Sequence, residues 1–389
     1  TALTHEFYAD GPVWIAPAVY SYIAETGDDA ILDLDVPYFD EGSSSVWEHM
    51  LTAVRFLYND RGEHGLCHIH DGDWCDTAHL LGKKGIGEGV WLSIALYNTL
   101  QTVIEIAHGT GRLAVLPELM AMAEDIKEKV NEHGWDGDWY LIAYNDEGRK
   151  IGSHESEEGK LFLNPQSWAV LSGIAPYERV QKCFEAIDKK LDTWIGPLLL
   201  TPAFTKKDIT IGSITGFHPG TIENGACYCH AASFKIVADC KAGRGEQAYE
   251  TLMKIVPGGT ADDMNEQADC PPYAFTNCRY SPEHPYLAGR FLNTWITGTV
   301  SWCWQAMTEW ILGVRKTLDG LLIDPCIPAK WEGFTVSREY RGTIYHIEVK
   351  NPKHLNKGVQ SIIINGKEIA GNIIPICKEK EVQVLVVMG

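Results

Sequence analysis

The sequence has little positive charge and no long apolar run, and both absences narrow the possible functions. Lys and Arg contribute 33 residues against 52 Asp and Glu, so the formal net charge is -19 over 389 residues. A chain this acidic is a poor non-specific ligand for nucleic acid or an anionic membrane. No stretch of about 20 apolar residues occurs and no signal peptide is recognisable at Thr1, so we expect no membrane span.

The 11 cysteines lack the pattern of a zinc site or a disulfide framework. Their number is odd, no Cys-x-x-Cys pair occurs, and the tightest cluster is Cys227-Tyr228-Cys229-His230. Such a distribution favours free, mostly buried thiols in a reducing compartment. We therefore expect a cytoplasmic protein without a metal or another cofactor.

The chain is rich in aromatic residues, with 13 Trp and 16 Tyr. Tryptophan-lined carbohydrate sites are one common cause of such a composition and a large helical core is another, and composition alone does not separate them. Hydrophobic residues make up 45% and charged residues 22%, which is ordinary for a globular enzyme. The length suits one large and one small domain.

Apolar residues recur at helical spacing through most of the chain. The pattern predicts helices over residues 13–25, 46–58, 88–108, 113–132, 164–175, 177–191, 228–241, 244–256 and 293–313. Short and long connections alternate between them, which suits antiparallel helix pairs wound into an (α/α)6 barrel with the long loops at one end. Since a closed double ring has about twelve helices, we expect a mainly α fold whose barrel is incomplete at its N-terminus.

The last part of the chain has the alternation of β-strands instead. Strand periodicity covers residues 334–350 and 381–387, and 361–367 reads as a strand that enters an Asn-Gly hairpin turn. We therefore divide the chain into a helical catalytic domain, 1–320, and a small β-sandwich-like domain, 321–389. A short strand over 139–144 is the one β-element expected inside the helical part.

One Gly-flanked segment concentrates acidic and aromatic residues. Residues 70–76 read HDGDWCD and precede the helix predicted from residue 88. The indole of Trp74 offers a flat apolar face to a pyranose ring, and a nearby carboxyl group can donate a proton to a glycosidic oxygen. The alternative is that Asp73 or Asp76 merely caps the following helix.

Three further loops carry unusual polar residues. Glu223 lies in a loop that ends at Gly225 and is followed by His230, and Asn277 ends a Pro-rich segment. Thr297-Gly298-Thr299 stands at a predicted helix N-terminus, where hydroxyls, backbone N–H groups and the helix dipole suit an anion such as phosphate. The alternatives are a surface turn at Glu223, a structural histidine and an ordinary Thr N-cap.

Taken together, these segments resemble the C-terminal half of a known family, the inverting disaccharide phosphorylases of glycoside hydrolase family ninety-four, which include cellobiose, chitobiose, laminaribiose and cellobionic acid phosphorylases. The resemblance covers nearly the whole chain from Ala9. It is carried by Gly72-Asp73-Trp74-Cys75-Asp76, Glu223-Asn224-Gly225 with His230, Trp295-Ile296-Thr297-Gly298-Thr299, and Ile323-Asp324-Pro325-Cys326-Ile327-Pro328.

The resemblance implies a role for each of these residues. Asp76 would be the general acid, while Asp73, Trp74, Glu223 and Asn277 would bind the sugar. His230, Thr297 and Gly298 would bind phosphate. Cys75 stands where the family usually has Asn, and Asn277 where it has the longer Gln. The family also uses an Arg and an Asp that would precede residue 13 and are not in this chain, so we expect the N-terminal portion of the same protein or a partner chain to complete the site, in a homodimer.

The chemistry implied is the reversible phosphorolysis of a β-linked glucosyl disaccharide to an α-sugar 1-phosphate and a free sugar. Phosphate is a charged nucleophile, so a proton donor suffices and no general base is needed. We expect burial against Trp74 and the charges of Asp73 and phosphate to raise the pKa of Asp76. One alternative is an inverting hydrolase with Glu223 as base. Another is a non-catalytic carbohydrate-binding protein, which needs Trp74 but not the acid and anion pocket together.

Overall fold

The computed structural model of the chain describes residues 7–258, 270–271, 274–295 and 297–389. Part of the long loop predicted over 257–288 therefore lies outside the described residues. So do Pro272 and Tyr273, which precede Asn277, and Ile296 of the predicted anion-binding motif.

Nine α-helices lie in the described residues, between Gly11 and Gln305. They are α1 (Gly11–Thr26), α2 (Val46–Asn59), α3 (Val90–Gly109), α4 (Leu116–His133), α5 (Leu163–Ser172), α6 (Tyr177–Ala186), α7 (Cys229–Lys241), α8 (Gly245–Ile255) and α9 (Thr299–Gln305). Two of them continue as π-helix, α6 through Ile187–Leu191 and α9 through Ala306–Ile311. The hydrophobic spacing predicted the first eight helices to within about one turn.

The helices alternate between two layers. Each odd-numbered helix contacts the next odd-numbered one, from α1 through α3, α5 and α7 to α9. The even-numbered helices α2, α4, α6 and α8 each pack on the preceding odd helix. Burial follows this division: α5 and α7 are buried almost all round, whereas α4 and α8 bury one apolar face. The mainly helical class predicted from the sequence is confirmed.

The odd-numbered helices meet in a cluster of aromatic rings. One ring comes from each of them: Trp14, Trp91, Trp168, Phe234 and Trp302. Neighbouring rings have centroids 4.6–6.4 Å apart and most pairs meet edge to face, the arrangement that the ring quadrupoles favour. A helical core thus accounts for part of the high Trp content.

Helix α3 and the cysteines bear on two expectations from the sequence, namely that the chain has no membrane span and that its thiols are mostly buried. By length and composition α3 could cross a membrane, but 67% of its most apolar window is buried inside the protein, as in a core helix. Nine of the 11 cysteines are buried, which confirms the expectation of mostly buried thiols.

Short strands border the loops of the helical part. They are β1 (Asp35–Pro37), β2 (Ser43–Ser45), β3 (Cys67–His68), β4 (Glu88–Gly89), β5 (Ala143–Tyr144), β6 (Lys150–Ile151), β7 (Leu161–Phe162), β8 (Leu200–Thr201), β9 (Cys227–Tyr228), β10 (Thr276–Arg279) and β11 (Phe291–Thr294). The strand predicted over 139–144 is therefore present but shorter, as β5 in a hairpin with β6.

The prediction that the last helix begins at residue 293 is wrong. Residues Phe291–Thr294 form β11, which pairs with β10, and α9 begins at Thr299. The pairing gives Phe291 and Leu292 ladder hydrogen bonds and a buried neighbour, so tertiary contacts override the apolar pattern that reads as helix.

Longer strands fill the C-terminal part. They are β12 (Val314–Lys316), β13 (Gly320–Ile323), β14 (Gly333–Tyr340), β15 (Thr343–Lys350), β16 (Val359–Ile364), β17 (Lys367–Ile369), β18 (Ile373–Pro375) and β19 (Glu381–Met388). They form a five-stranded sheet in the order β14-β15-β19-β16-β17 and a three-stranded sheet in the order β12-β13-β18. The division of the chain at residue 320 stays a prediction.

The turns of the five-stranded sheet follow from its sequence. The stretch predicted as one run over 334–350 is a hairpin, because Arg341 (φ 46°) and Gly342 (φ 83°) make a tight left-handed turn between β14 and β15. The predicted Asn-Gly turn is confirmed at Asn365 (φ 47°) and Gly366 (φ 83°), between β16 and β17. The sheet contacts α1 through the Tyr340 hydroxyl, which donates to the Ala24 carbonyl at 2.7 Å.

Candidate active site

Short strands place the predicted loops at the N-terminal ends of two core helices. Strands β3 and β4 bracket the loop 69–87, and β4 runs directly into α3. In the same way β9 leads into α7 and pairs with β10, which in turn pairs with β11. The loop 69–87 and the start of α7 are in contact through the rings of Trp74 and His230.

Trp74 is the residue that joins these loops. Its half-buried ring lies edge to face with Tyr228, at 5.4 Å between centroids, and with His230, at 5.3 Å. A further contact at 5.6 Å reaches Phe234 on α7. Two residues predicted for different subsites, Trp74 and His230, are therefore neighbours.

His230 is mostly buried and packs against the backbone of Gly298. A Cβ atom added at Gly298 would lie 2.8 Å from Cε1 and 3.0 Å from Nδ1 of the imidazole, so this position has room only for glycine. Burial lowers the pKa of His230 to about 4, so the ring is neutral at pH 7. Its Nε2 is buried and has no hydrogen-bond partner among the residues that the structure describes. An unsatisfied polar atom at this depth is available to a ligand.

Thr297 completes the turn that begins α9. The Thr299 backbone N–H donates to Oγ1 of Thr297 at 3.0 Å, and the two hydroxyl oxygens lie 2.6 Å apart. The Thr299 hydroxyl also donates to the Thr276 carbonyl of β10 at 3.0 Å, which ties α9 to the small sheet. The Thr N-cap expected as the alternative role of this segment is wrong, because the N-cap residue is Gly298 and no side chain caps α9. The Thr297 hydroxyl instead closes a turn over Gly298, which packs against His230.

Two carboxyl groups of the HDGDWCD segment differ in environment. Asp73 is 5% exposed, and burial, followed by the charges of Asp10 and Asp76, raises its pKa to about 7. One of its oxygens accepts the Cys75 backbone N–H at 3.0 Å. Asp76 is exposed at the edge of the site, and its pKa is raised first by partial burial and then by the charge of Asp10. The pKa of Asp76 is raised, as expected from the sequence, but the charge that contributes to the rise is that of Asp10 and not that of Asp73.

Glu223 is held next to the same segment. Its carboxyl group is buried and accepts a short hydrogen bond from the Thr77 hydroxyl. Burial raises the pKa of Glu223 to about 7, the hydrogen bond from Thr77 opposes the rise, and the charge of Asp76 adds to it. The pKa of Glu223 therefore depends in part on the charge of Asp76. The surface turn expected as the alternative is wrong for this side chain, since Glu223 is only 4% exposed.

Asn277 lies on β10, and its side chain contacts Tyr228. Its Nδ2 donates to the Tyr228 hydroxyl at 3.1 Å, and the β9–β10 pairing fixes the relative positions of the two residues. Burial and the charge of Glu223 raise the pKa of Tyr228, so its hydroxyl stays protonated.

A chain of contacts thus runs from Asn277 through Tyr228 and Trp74 to His230 and Gly298, and Glu223 is joined to the loop of Trp74 through Thr77. The structure also adds three residues that sequence reasoning did not assign to the site: Asp10, Thr77 and Tyr228. Asp10 stands directly before α1 and accepts the Trp14 indole N–H at 2.9 Å. In the sequence, Asp10 is marked only by its position in front of a predicted helix, which indicates a helix start and not a site residue.

Comparison with known proteins identifies the family. The model of the glycosyl hydrolase 94 superfamily, catalytic domain, matches residues 2–313. The chain belongs to the glycosyl hydrolase 94 superfamily. The resemblance to family ninety-four drawn from the sequence motifs is therefore confirmed.

Several members of this superfamily are similar to the chain over nearly its whole length. A solabiose phosphorylase of Paenibacillus borealis is 49% identical over 96% of this chain and 49% of its own length. An N,N'-diacetylchitobiose phosphorylase of Vibrio proteolyticus is 36% identical over 98% of this chain and 47% of its own length. The chain thus spans about half the length of the curated relatives it matches, as expected from its resemblance to the C-terminal half of the family's proteins.

Solved structures support the fold alone. A sialidase superposes with a TM-score of 0.63 at 14% identity, over 96% of this chain and 32% of that chain. The GH78 family rhamnosidase of Bacillus sp. GL1 superposes with a TM-score of 0.58, also at 14% identity, over 89% of this chain and 32% of that chain.

Proposed function

We propose that this chain carries the catalytic centre of an inverting phosphorylase that cleaves a β-linked glucosyl disaccharide reversibly with inorganic phosphate. The products would be an α-sugar 1-phosphate and a free sugar. Membership of the superfamily and the names of the phosphorylase relatives support the reaction class. The observation that carries the proposal is the contact between His230 and Trp74, which stands two residues before Asp76. The imidazole of His230 packs against Gly298, and its Nε2 has no hydrogen-bond partner among the described residues.

Asp76 is a better proton donor than Asp73, the buried carboxyl group of the same loop. Asp73 has the higher pKa, but it is buried and one of its oxygens is occupied by the Cys75 N–H. Asp76 reaches the surface of the site, where a glycosidic oxygen can approach it. Because its pKa is raised, a larger fraction of Asp76 is protonated near neutral pH than of an ordinary carboxyl group. The role of Asp73 is then to line the sugar site beside Trp74.

His230, Thr297 and Gly298 would hold phosphate opposite Asp76. The neutral imidazole can donate one hydrogen bond through Nε2, and the start of α9 adds hydroxyl and backbone donors at the positive end of the helix dipole. A bound phosphate would raise the pKa of His230 and convert a neutral donor into a charged one. The nucleophile is then fixed without a general base, and its attack on the anomeric carbon inverts the configuration.

Glu223 and Asn277 would bind the sugar hydroxyls. Glu223 is anchored through Thr77, the residue after the proposed proton donor, so we expect it to contact the sugar near the cleaved bond. Asn277 is fixed by Tyr228 and is one methylene shorter than the Gln of the family. This shorter amide, together with Cys75 in place of Asn, would set which sugar the site accepts.

An inverting hydrolase is the second candidate, because a buried Glu223 with a pKa of about 7 has the basicity of a general base. An inverting base must activate water on the face of the sugar opposite the acid. We take the bond of Glu223 to Thr77, the residue next to the proposed acid, as support for the phosphorylase. A carbohydrate-binding protein without catalysis would not need an unsatisfied His230 beside Trp74.

The wider architecture supports a larger assembly. The sequence of contacts between odd-numbered helices suits an (α/α)6 barrel, and its two end helices expose apolar side chains: Ile15 and Tyr22 on α1, Val300 and Trp304 on α9. We propose that the N-terminal portion of the same protein or a partner chain covers these helices and supplies the cation that phosphate requires. A homodimer in the cytoplasm, with no nucleic acid or membrane as partner, completes the proposal.

The synthetic direction gives the sharpest test of substrate class. The protein is incubated with α-glucose 1-phosphate and a panel of acceptor sugars, and phosphate release is measured. We expect release only with an acceptor and a new β-linked disaccharide in the mixture. If no acceptor releases phosphate, while disaccharides are cleaved to free sugars without phosphate, the hydrolase is correct.

A further inference from the structure

Two histidines and an aspartate meet where the loop 69–87 begins. Asp60 directly follows the last residue of α2, His68 ends β3, and His70 is the second residue after it. The His68 backbone N–H donates to the Asp60 carbonyl at 3.0 Å, so the two chain segments run side by side. His70 has a left-handed backbone (φ 54°), which is uncommon outside glycine and turns its side chain toward Asp60.

The side chains converge on one point. Nδ1 of His68 lies 3.0 Å from one oxygen of Asp60, and Nε2 of His70 lies 2.6 Å from the other. The three candidate ligand atoms all lie within 4.8 Å of one another. Ligand atoms of a tetrahedral zinc ion, at about 2.0–2.1 Å from the metal, are separated by roughly 3.4 Å, so small rotations of these side chains would admit an ion.

We propose that Asp60, His68 and His70 form a binding site for Zn²⁺, contrary to the expectation from the sequence that the protein has no metal. Two imidazoles and one carboxylate suit zinc and neighbouring transition metals, whereas Ca²⁺ and Mg²⁺ prefer oxygen ligands throughout. Three protein ligands leave the fourth position to water or another donor. That position borders a cavity of about 800 Å³, lined in part by Phe7, Phe56 and Asp71.

The group is partly shielded from solvent and is held by a neighbouring aromatic ring. The Phe7 ring lies edge to face with His70 at 4.9 Å between centroids and restricts the imidazole from one side. The side chains of Asp60, His68 and His70 are only 19–29% exposed.

A metal here would fix the path of the catalytic loop. His70 is three residues before Asp73 and six before Asp76, while Asp60 is anchored at the end of α2. A bond from zinc to both would hold the start of the HDGDWCD segment against the helical scaffold. The inference does not rest on the proposed phosphorolysis, because its readout is metal binding.

Equilibrium dialysis with Zn²⁺, followed by elemental analysis, tests the site on the metal-stripped protein. We expect one zinc per chain in the unsubstituted protein. In Asp60→Asn and in His70→Gln the affinity for zinc should be weaker by at least about 10- to 100-fold, because losing even a residue that only supports a metal ligand weakens binding by that factor. Substitution with Co²⁺ should give the visible absorption of a tetrahedral site in the unsubstituted protein only.

His284→Gln is the matched control. His284 belongs to a second histidine pair, with His218 at 5.0 Å between ring centroids, so it tests whether any pair of neighbouring histidines takes up zinc. We expect its zinc content to equal that of the unsubstituted protein. Circular dichroism of each variant checks that it is folded. The site is refuted if the unsubstituted protein binds no more zinc than a folded His68→Gln/His70→Gln variant, which would mean that Asp60 serves only as a hydrogen-bond acceptor for two imidazoles.

Discussion

The Thr77 hydroxyl donates a hydrogen bond to the buried carboxyl group of Glu223, 146 residues away along the chain. This bond joins the loop that carries the proposed proton donor to the loop before α7. The carboxyl oxygen that it engages is Oε2 of Glu223. The position of Glu223 is thus set by the residue next to Asp76.

Removing this bond should weaken sugar binding. In Thr77→Val the donor is lost at nearly constant volume, so Glu223 is no longer oriented, and we expect the KM for the disaccharide to rise about 5-fold, as for the loss of about 1 kcal/mol. Thr77→Ser keeps the hydroxyl and should retain the original KM. A KM that is equal in the valine and serine variants would show that the bond does not position Glu223.

His230 should affect phosphate more than sugar. His230→Phe keeps an aromatic ring against Trp74 and Phe234 but removes the free Nε2. A hydrogen bond to a charged group contributes about 1.5–3 kcal/mol, so we expect the KM for phosphate to rise about 10- to 100-fold in phosphorolysis assays. His230→Gln, which retains a donor, should lose less. A change confined to the KM for the disaccharide would exclude His230 from the phosphate site.

Asp10 should set the upper pH limit of the reaction. Its negative charge raises the pKa of Asp76, and the reaction needs Asp76 protonated, so the rate falls as the pH rises through that pKa. Asp10→Asn keeps an acceptor for the Trp14 N–H but removes the charge. We expect the descending limb of the kcat/KM profile to move to lower pH. Asp33→Asn, at an exposed ion pair with Arg112, should leave the profile unchanged; an unmoved limb in the Asp10 variant would contradict the coupling.

Asn277 should control how well the sugar fits. Asn277→Gln restores the residue of the family, but the extra methylene displaces the amide from the Tyr228 hydroxyl on a strand that is paired on both sides. We expect kcat/KM for the glucosyl disaccharide to fall about 10-fold, the equivalent of about 1.4 kcal/mol. Tyr228→Phe should move kcat/KM in the same direction but less. An increase in kcat/KM in the glutamine variant would mean that Asn277 does not define the sugar that is accepted.

The periodic parts of the fold could be predicted from the sequence. Helical spacing located α1 to α8 because their apolar residues recur at the helical period, and the Asn365-Gly366 dipeptide marked its hairpin. Two-residue strands such as β3 and β9 have no periodicity to detect, and β11 reads as the start of α9 until its pairing with β10 is known. These strands depend on partners far away in sequence, which no local pattern contains.

The candidate site could be predicted in part for the same reason. Trp74, Glu223, His230 and Thr297 stand in motifs that are recognisable along the chain, and the structure brings Trp74 and His230 into contact. Asp10 could not be assigned, because its effect on Asp76 acts across 66 residues of sequence and only in the folded chain. Thr77 and Tyr228 were likewise invisible, since their roles are hydrogen bonds to Glu223 and Asn277.

The most direct measurement follows the sugar released from the disaccharide by NMR, with and without inorganic phosphate, in the unsubstituted protein and in Asp76→Asn. We expect an α-sugar 1-phosphate that forms only with phosphate, at a rate about 100- to 10,000-fold lower in the variant, the usual contribution of a general acid. The control Asp71→Asn, in the same segment but bonded to Lys83 at the surface, should keep its rate. An Asp76→Asn variant with undiminished turnover, or a free sugar produced equally fast without phosphate, would contradict the account.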